Sequence, residues 1–202
     1  MSLWAGDAPL ILASQSKSRQ ALLEGAGIPF VAIPADIDER GIQSGSGLKD
    51  PGAIAALLAR SKALHVAVRE KGRAVLGADQ TLSLKGRMFS KPTGRAQAAE
   101  QVRALAGAAH ELHSAIAVVK DEKVLFEHVA VARMTMRGLS DVAIEKYLDA
   151  AGEAVTTSVG AYQLEGVGVH LFERIEGDHF TILGLPLLPL LGALRGIGLL
   201  TD

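Results

Sequence analysis

The chain has 202 residues, 49% hydrophobic and only 4% aromatic, enough for one sizeable core or for two small lobes sharing a sheet. Its 21 Lys and Arg balance 22 Asp and Glu, so the electrostatic footprint of a general nucleic-acid binder is missing and any anion site must be local. The absence of cysteine excludes disulfides, thiolate metal sites and a cysteine nucleophile, and fits a reducing compartment, with the cytoplasm as the default.

Residues 1–8 carry no signal-peptide pattern and are expected to form a loose extension of a single domain covering 1–202. A strand from Pro9 to Ala13 then leads into a helix from about Lys17 to Gly25, with Ser16 as N-cap. "FVAIPADIDER" reads as a strand with an acidic end, and "GIQSGSGLKDPG" as a flexible polar loop or a lid. From about Ala53 to Glu70 the apolar positions keep helical spacing, with Lys62 at the margin of the stripe. "AVLGAD" reads as a short buried strand ending at Asp79, and "TLSLKGRMF" as a hairpin about Lys85-Gly86. A helix from about Gly94 to Ala106 follows, capped by Thr93. Two long antiparallel strands surround "KDEK", a further helix covers Ser140 to Ala150, and "VGVHLFERIEGDHFTIL" reads as a second hairpin around "EGD". The C-terminal apolar run is interrupted by Pro186, Pro189 and Arg195 and falls short of the ~20 residues a bilayer needs, so a buried helix is expected and no membrane anchor. Hairpins beside βα units imply a mixed sheet in an α/β fold.

Walker, dinucleotide-binding and nucleophile-elbow motifs are absent. His110 and His113, three apart on a strand, point to opposite faces and read as structural or surface residues. Candidate chemistry sits elsewhere. In "LASQSKSR" the first N–H groups of a helix, the hydroxyls of Ser14 and Ser16 and the cation of Arg19 suit a phosphate; equally, the serines can cap the helix and Arg19 can be a solvated cation. Asp79, at a strand end, is placed for an acid, a base or a metal ligand, or starts a turn. Lys91 in "SKP" stands on a segment stiffened by Pro92 and can meet a phosphate. Glu39, with Asp36 or Asp38, either completes a hard-metal site or is an acidic end in water.

"LASQSKSR", "ADQT" followed by "SKP", "GAYQLEG" and "IEGDHFTILGLPL", in that order, resemble the Maf (septum-formation-protein-like) nucleotide pyrophosphatases over nearly the whole chain. The resemblance implies a bent mixed sheet flanked by helices with a long cleft. It implies hydrolysis of a nucleoside triphosphate to the monophosphate and pyrophosphate with a divalent cation (Mg, Mn or Co), by a cytoplasmic, often homodimeric protein. It puts Ser14, Arg19, Lys62 and Lys91 around the triphosphate, Asp79 as proton acceptor and Glu39 near the metal, with Ser16, Ser18, Gln80 and Glu165 among the substrate-binding positions. "ADQ" and "QLEG" look more like the branch acting on 7-methyl-GTP than the dTTP/UTP branch, although Ser18 stands where the former commonly has Trp and the latter Arg. The resulting expectation is a broad nucleoside triphosphate pyrophosphatase, the alternatives being a 7-methyl-GTP-specific enzyme or a nucleotide-binding cell-division regulator with little turnover.

Overall fold

Where the chain becomes apolar at Leu10 it enters the sheet, and β1 (Leu10–Leu12) is fully buried. The computed structural model describes residues 3–201. Ser16 caps α1 (Lys17–Gly25) as expected, its hydroxyl accepting the Arg19 N–H at 3.4 Å. β2 (Phe30–Ala32) pairs parallel to β1 and is shorter than the expected strand. Residues 3–8 are not loose: the Ala5 N–H donates to Leu199 O, and the Thr201 N–H to Leu3 O.

The expected flexible loop is largely a helix. Asp38 accepts the Gly41 N–H at 2.9 Å and caps α2 (Glu39–Ser46), which stops at Gly47 in the left-handed region at φ 68°. Gly41 and Gly45 dilute helix propensity, but the caps at both ends supply what the interior lacks. Glu39 therefore opens a helix and does not end a strand. Asp50 and Pro51 start α3 (Pro51–Ala67) with a capping bond to Ala53 N–H at 2.7 Å.

β3 (Ala74–Leu84) is one unbroken strand of 11 residues, so Asp79 lies in its middle and not at its end. It pairs parallel to β1 at Val75 and Leu76, and antiparallel to β4 (Arg87–Phe89) at its far end. After α4 (Arg95–Leu105), β5 (Ala109–Lys120) and β6 (Lys123–Met136) are joined by Asp121 and Glu122, both at positive φ. Gly94, not Thr93, occupies the N-cap position of α4, and Thr93 instead donates its N–H to Gln97 Oε1. Ser140 caps α5 (Asp141–Ala151), accepting the Ala143 N–H at 3.2 Å.

The second expected hairpin does not form. β7 (Phe172–Glu176) pairs antiparallel with β6, but the following segment turns into α6 (His179–Ile182), because Asp178 accepts the Thr181 N–H at 3.0 Å. The last helix, α7 (Leu187–Gly196), is half-buried and not wholly buried as expected: Leu187, Leu190 and Leu194 face the core while Leu188 is exposed, and among the described residues no helix is long and apolar enough to cross a membrane. Among the described residues seven strands make a mixed sheet in the order β2-β1-β3-β5-β6-β7, with β4 on β3.

Two compact units can be distinguished: the stretch to Gln80 with Ser114–Ala130 and the chain from Gly184, and Thr81–His113 with Val131–Leu183. The first packs Ala55, Ala59, Ala63 and Val66 of α3 on Ile11, Val75, Ala115 and Ala117 of the sheet. The second is larger-grained, with Leu82, Val102, Leu112, Met134, Tyr147, Leu148 and Tyr162 in its core.

The small residues of α3 let it approach β3 closely. A Cβ at Gly77 would stand 2.0 Å from the carbonyl oxygen of Ala59 and 2.8 Å from the amide nitrogen of Ala63, both backbone atoms. No side chain can be accommodated there without moving the helix. Gly77→Ala should therefore destabilise the protein by about 2 kcal/mol or more, in the manner of overpacked cores. Urea unfolding measures it, and an unchanged midpoint would contradict the close approach.

Candidate functional site

Alternation along β3 puts Asp79 on the same face as Gly77, the face on which α3 lies. On α3, Lys62 follows Ala59 by three residues and so points the same way. The two side chains meet: Lys62 Nζ donates to Asp79 Oδ1 at 2.6 Å. Glu39, at the start of α2, reaches the same ammonium through Oε1 at 2.9 Å. Lys62 and Asp79 have side chains only 11% and 10% exposed, whereas Glu39 is 51% exposed. Lys62 is thus a buried member of its helix.

The turn after β1 supplies the second part. β1 stops at Leu12, and the Ala13 N–H, donating to Leu76 O at 2.8 Å, still holds the start of the turn against β3. Ser14 Oγ then accepts both the Ser16 N–H at 3.2 Å and Arg19 Nη1 at 3.1 Å. Arg19 also donates from Nη1 to Ala78 O at 2.8 Å and from Nε to Gly184 O at 2.8 Å. It is a strap tying the turn, the residue before Asp79 and the Gly184 segment, and not a solvated surface cation. Gly184, at φ 89°, leaves room for this, since a Cβ would approach Arg19 Nε to 3.4 Å. Ser16 is spent on capping, and Ser18 lies half-buried in the first turn of α1. Gln80, on the opposite face of β3 from Asp79, donates to Ser114 Oγ at 2.8 Å.

Burial pushes the Asp79 carboxyl above its ordinary range, while the charges of Lys62 and Arg19 pull it back. The same desolvation draws the Arg19 guanidinium below its usual value, with Asp79 and Glu39 opposing it. A carboxylate raised by burial yet held beside an ammonium suits a base that must carry charge and still accept a proton.

Asp38 is committed to capping α2 and Asp36 is exposed, so neither joins this cluster. Among the described residues no group of three or more His, Asp or Glu could hold a metal ion. Two carboxylates, Asp79 and Glu39, converge on one ammonium, and hard oxygen donors of this kind are those that a divalent cation would take. His110 is buried, with Nε2 at 2.7 Å from the Tyr162 hydroxyl, and burial lowers its pKa to about 4, consistent with a structural histidine.

Lys91 and Glu165 belong to the second unit and are both exposed. Lys91 has no hydrogen bond or ion pair among the described residues. The contributions of Gly77 and Gly184 are not apparent from residue type; their signal is that each stands inside a quoted motif, "LGAD" or "ILGLPL", where a larger residue would be the commoner packing choice.

Residues 9–197 match the family model described as Maf-like protein. A nucleoside triphosphate pyrophosphatase from Rhodopseudomonas palustris (strain ATCC BAA-98 / CGA009) is 65% identical over 200 residues, covering 99% of each chain. Another protein of that name, from Bradyrhizobium diazoefficiens, is 65% identical over 195 residues, 96% of each. A 7-methyl-GTP pyrophosphatase from Rhizobium etli is 53% identical over 192 residues, 94% of this chain and 96% of its own.

The Lys62–Asp79 pair has a direct electrostatic consequence. Lys62→Met removes the nearest opposing charge while leaving Asp79 buried, so the Asp79 carboxyl should rise further above its ordinary pKa. A carbon-detected NMR titration of the Asp79 carboxyl reads this, and an unchanged or lowered value would contradict the pairing.

Proposed function

The chain belongs to the Maf-like protein family, and from that premise we propose that it is a nucleoside triphosphate pyrophosphatase, hydrolysing its substrate to the nucleoside monophosphate and pyrophosphate. The observation that carries this reading is the Lys62 ammonium held between Asp79 and Glu39, beside the Ser14–Arg19 turn. Water attacks the α-phosphorus, a new P–O bond forms, and the bond from the α-phosphorus to the bridging oxygen breaks. Pyrophosphate leaves, and the proton of the attacking water passes to the Asp79 carboxylate. Lys62 is the group best placed to exchange partners, since phosphate oxygens compete with Asp79 for it and free the carboxylate as a base.

The free donors of Arg19 and the N-terminus of α1 assist with the negative charge, and Lys91 joins them by residue type and motif. Asp79 and Glu39 are the residues that would hold a divalent cation, Mg, Mn or Co. When bound, such a cation neutralises charge on the phosphate oxygens. A cytoplasmic homodimer is part of the same proposal.

Asp79→Asn keeps the shape and removes the basic oxygen, so pyrophosphate release should fall by about 100-fold or more in a folded protein. The assay is a panel of nucleoside triphosphates with each cation. Near-normal turnover of the variant would overturn the role of Asp79. Nucleotide binding without pyrophosphate release from any base would favour a nucleotide-binding regulator.

For the base, the proposal is broad acceptance with a lean towards guanine and 7-methylguanine. The carboxylate of Glu165 accepts hydrogen bonds from the two adjacent donors of guanine, N1–H and N2–H, and balances the charge of its 7-methyl form, while uracil and thymine offer it a single N3–H flanked by two carbonyl oxygens. Ser18 offers no aromatic face, a contact worth roughly 0.5 to 2 kcal/mol for a cationic ring. Glu165→Gln should reduce the lean and Ser18→Trp should sharpen it up to about tenfold, read as kcat/KM for 7-methyl-GTP, GTP, UTP and dTTP. A wild type strongly preferring UTP or dTTP would contradict the assignment of Glu165.

A further inference from the structure

One polar side chain of the second unit lies on a helix face where apolar packing is the rule. α4 buries Ala98, Ala99, Val102 and Leu105, and with them Gln101, which is only 7% exposed. Its carboxamide is used at both ends. Nε2 donates to Ser90 O at 2.8 Å, and Oε1 accepts the Gly160 N–H at 3.1 Å. The orientation of the amide is fixed by these partners, because a carbonyl can only accept and an N–H can only donate.

Each partner leads to a residue of the proposed chemistry. The Ser90 carbonyl belongs to the peptide group that joins Ser90 to Lys91, so the bond from Gln101 holds the plane from which the lysine departs. On its other side Lys91 is stiffened by the ring of Pro92. Gly160 begins the segment that runs through Tyr162 to Glu165. It stands at φ 80°, and a Cβ there would lie 2.6 Å from Leu82 Cδ1 and 2.8 Å from the Tyr162 ring. Beyond it the path is pinned again, since the Tyr147 hydroxyl donates to Ala161 O at 2.8 Å. A buried helix position therefore ties together the two loops that carry Lys91 and Glu165.

We propose that Gln101 is a positioning residue, whose single carboxamide fixes the Lys91 peptide and the Gly160 loop in one arrangement so that phosphate and base contacts are set together. This rests on the reading of Lys91 as a phosphate contact. Hydrophobic packing alone would be satisfied by Leu or Met at this position. A glutamine is needed only if both backbone groups must be held.

The test is a double-mutant cycle between Gln101 and Lys91 in kcat/KM for GTP and UTP. Gln101→Glu is close in volume and keeps the acceptor for Gly160 but has no donor for Ser90. It should lower kcat/KM by about tenfold, equally for both bases and chiefly through KM, and should add less than about twofold in the Lys91→Ala background. Gln101→Met frees both loops and should in addition shift the ratio between GTP and UTP. It is carried in parallel, so that failure of Gln101→Glu to fold leaves the cycle measurable, and thermal midpoints report folding of each protein. A Gln101 effect that persists in full in the Lys91→Ala background, or Gln101 variants with wild-type kinetics beside an impaired Lys91→Ala, would overturn the positioning role and leave the reading of Lys91 standing. A Lys91→Ala protein indistinguishable from wild type would instead overturn the reading of Lys91 itself, and the positioning role with it.

Discussion

The buried contact between the Lys62 ammonium and the Asp79 carboxylate is the interaction on which the site depends. Two opposite charges, each about one-tenth exposed, are stable in an apolar setting only as partners with good geometry. That geometry is set by a backbone fact one step away, the absence of a Cβ at Gly77. With α3 seated against β3, Ala59 fits over Gly77, and one helical turn onward Lys62 falls over Asp79. Stability and chemistry draw on the same close approach.

Around this pair the sequence invests polar groups in holding backbone. Arg19 uses two of its nitrogens to join Ser14, Ala78 and Gly184, and so fixes the turn after β1 against the strand that carries Asp79. In the second unit Gln101 does similar work for Ser90 and Gly160. In both, one multidentate side chain satisfies main-chain groups, Ala78 O and Gly184 O for Arg19, Ser90 O and the Gly160 N–H for Gln101. Such bonds contribute modestly to stability one by one, but they convert loops into fixed platforms, which is what charge stabilisation at a phosphate requires.

Much of this was legible in the sequence, and the failures have physical reasons. The strand–turn–helix at Leu10–Gly25 could be read because a buried strand, an N-cap serine and a glycine stop agree with one another. The mixed sheet followed from hairpin patterns beside βα units. The glycines of α2 suggest a loop, and it is a helix because Asp38 and Gly47 cap its two ends. A carboxylate at Asp79 suggests a strand end or turn, whereas β3 runs through it, with Lys62 of α3 as the partner for the buried charge. For Arg19 the sequence supports phosphate ligand and surface cation equally, because its carbonyl and hydroxyl partners come from segments up to 165 residues away, which spacing cannot reveal. For Gln101 the helical pattern shows only a polar residue among apolar ones, and its two backbone partners, 11 and 59 residues away, carry no signal in residue type.

The central claim of the proposed function is that water attacks the α-phosphorus of a nucleoside triphosphate. Hydrolysis in water enriched in oxygen-18, followed by phosphorus NMR of the products, tests this most directly. Attack at the α-phosphorus places one labelled oxygen on the nucleoside monophosphate and none on pyrophosphate. Label found in pyrophosphate, or orthophosphate and a nucleoside diphosphate as the products, would contradict it.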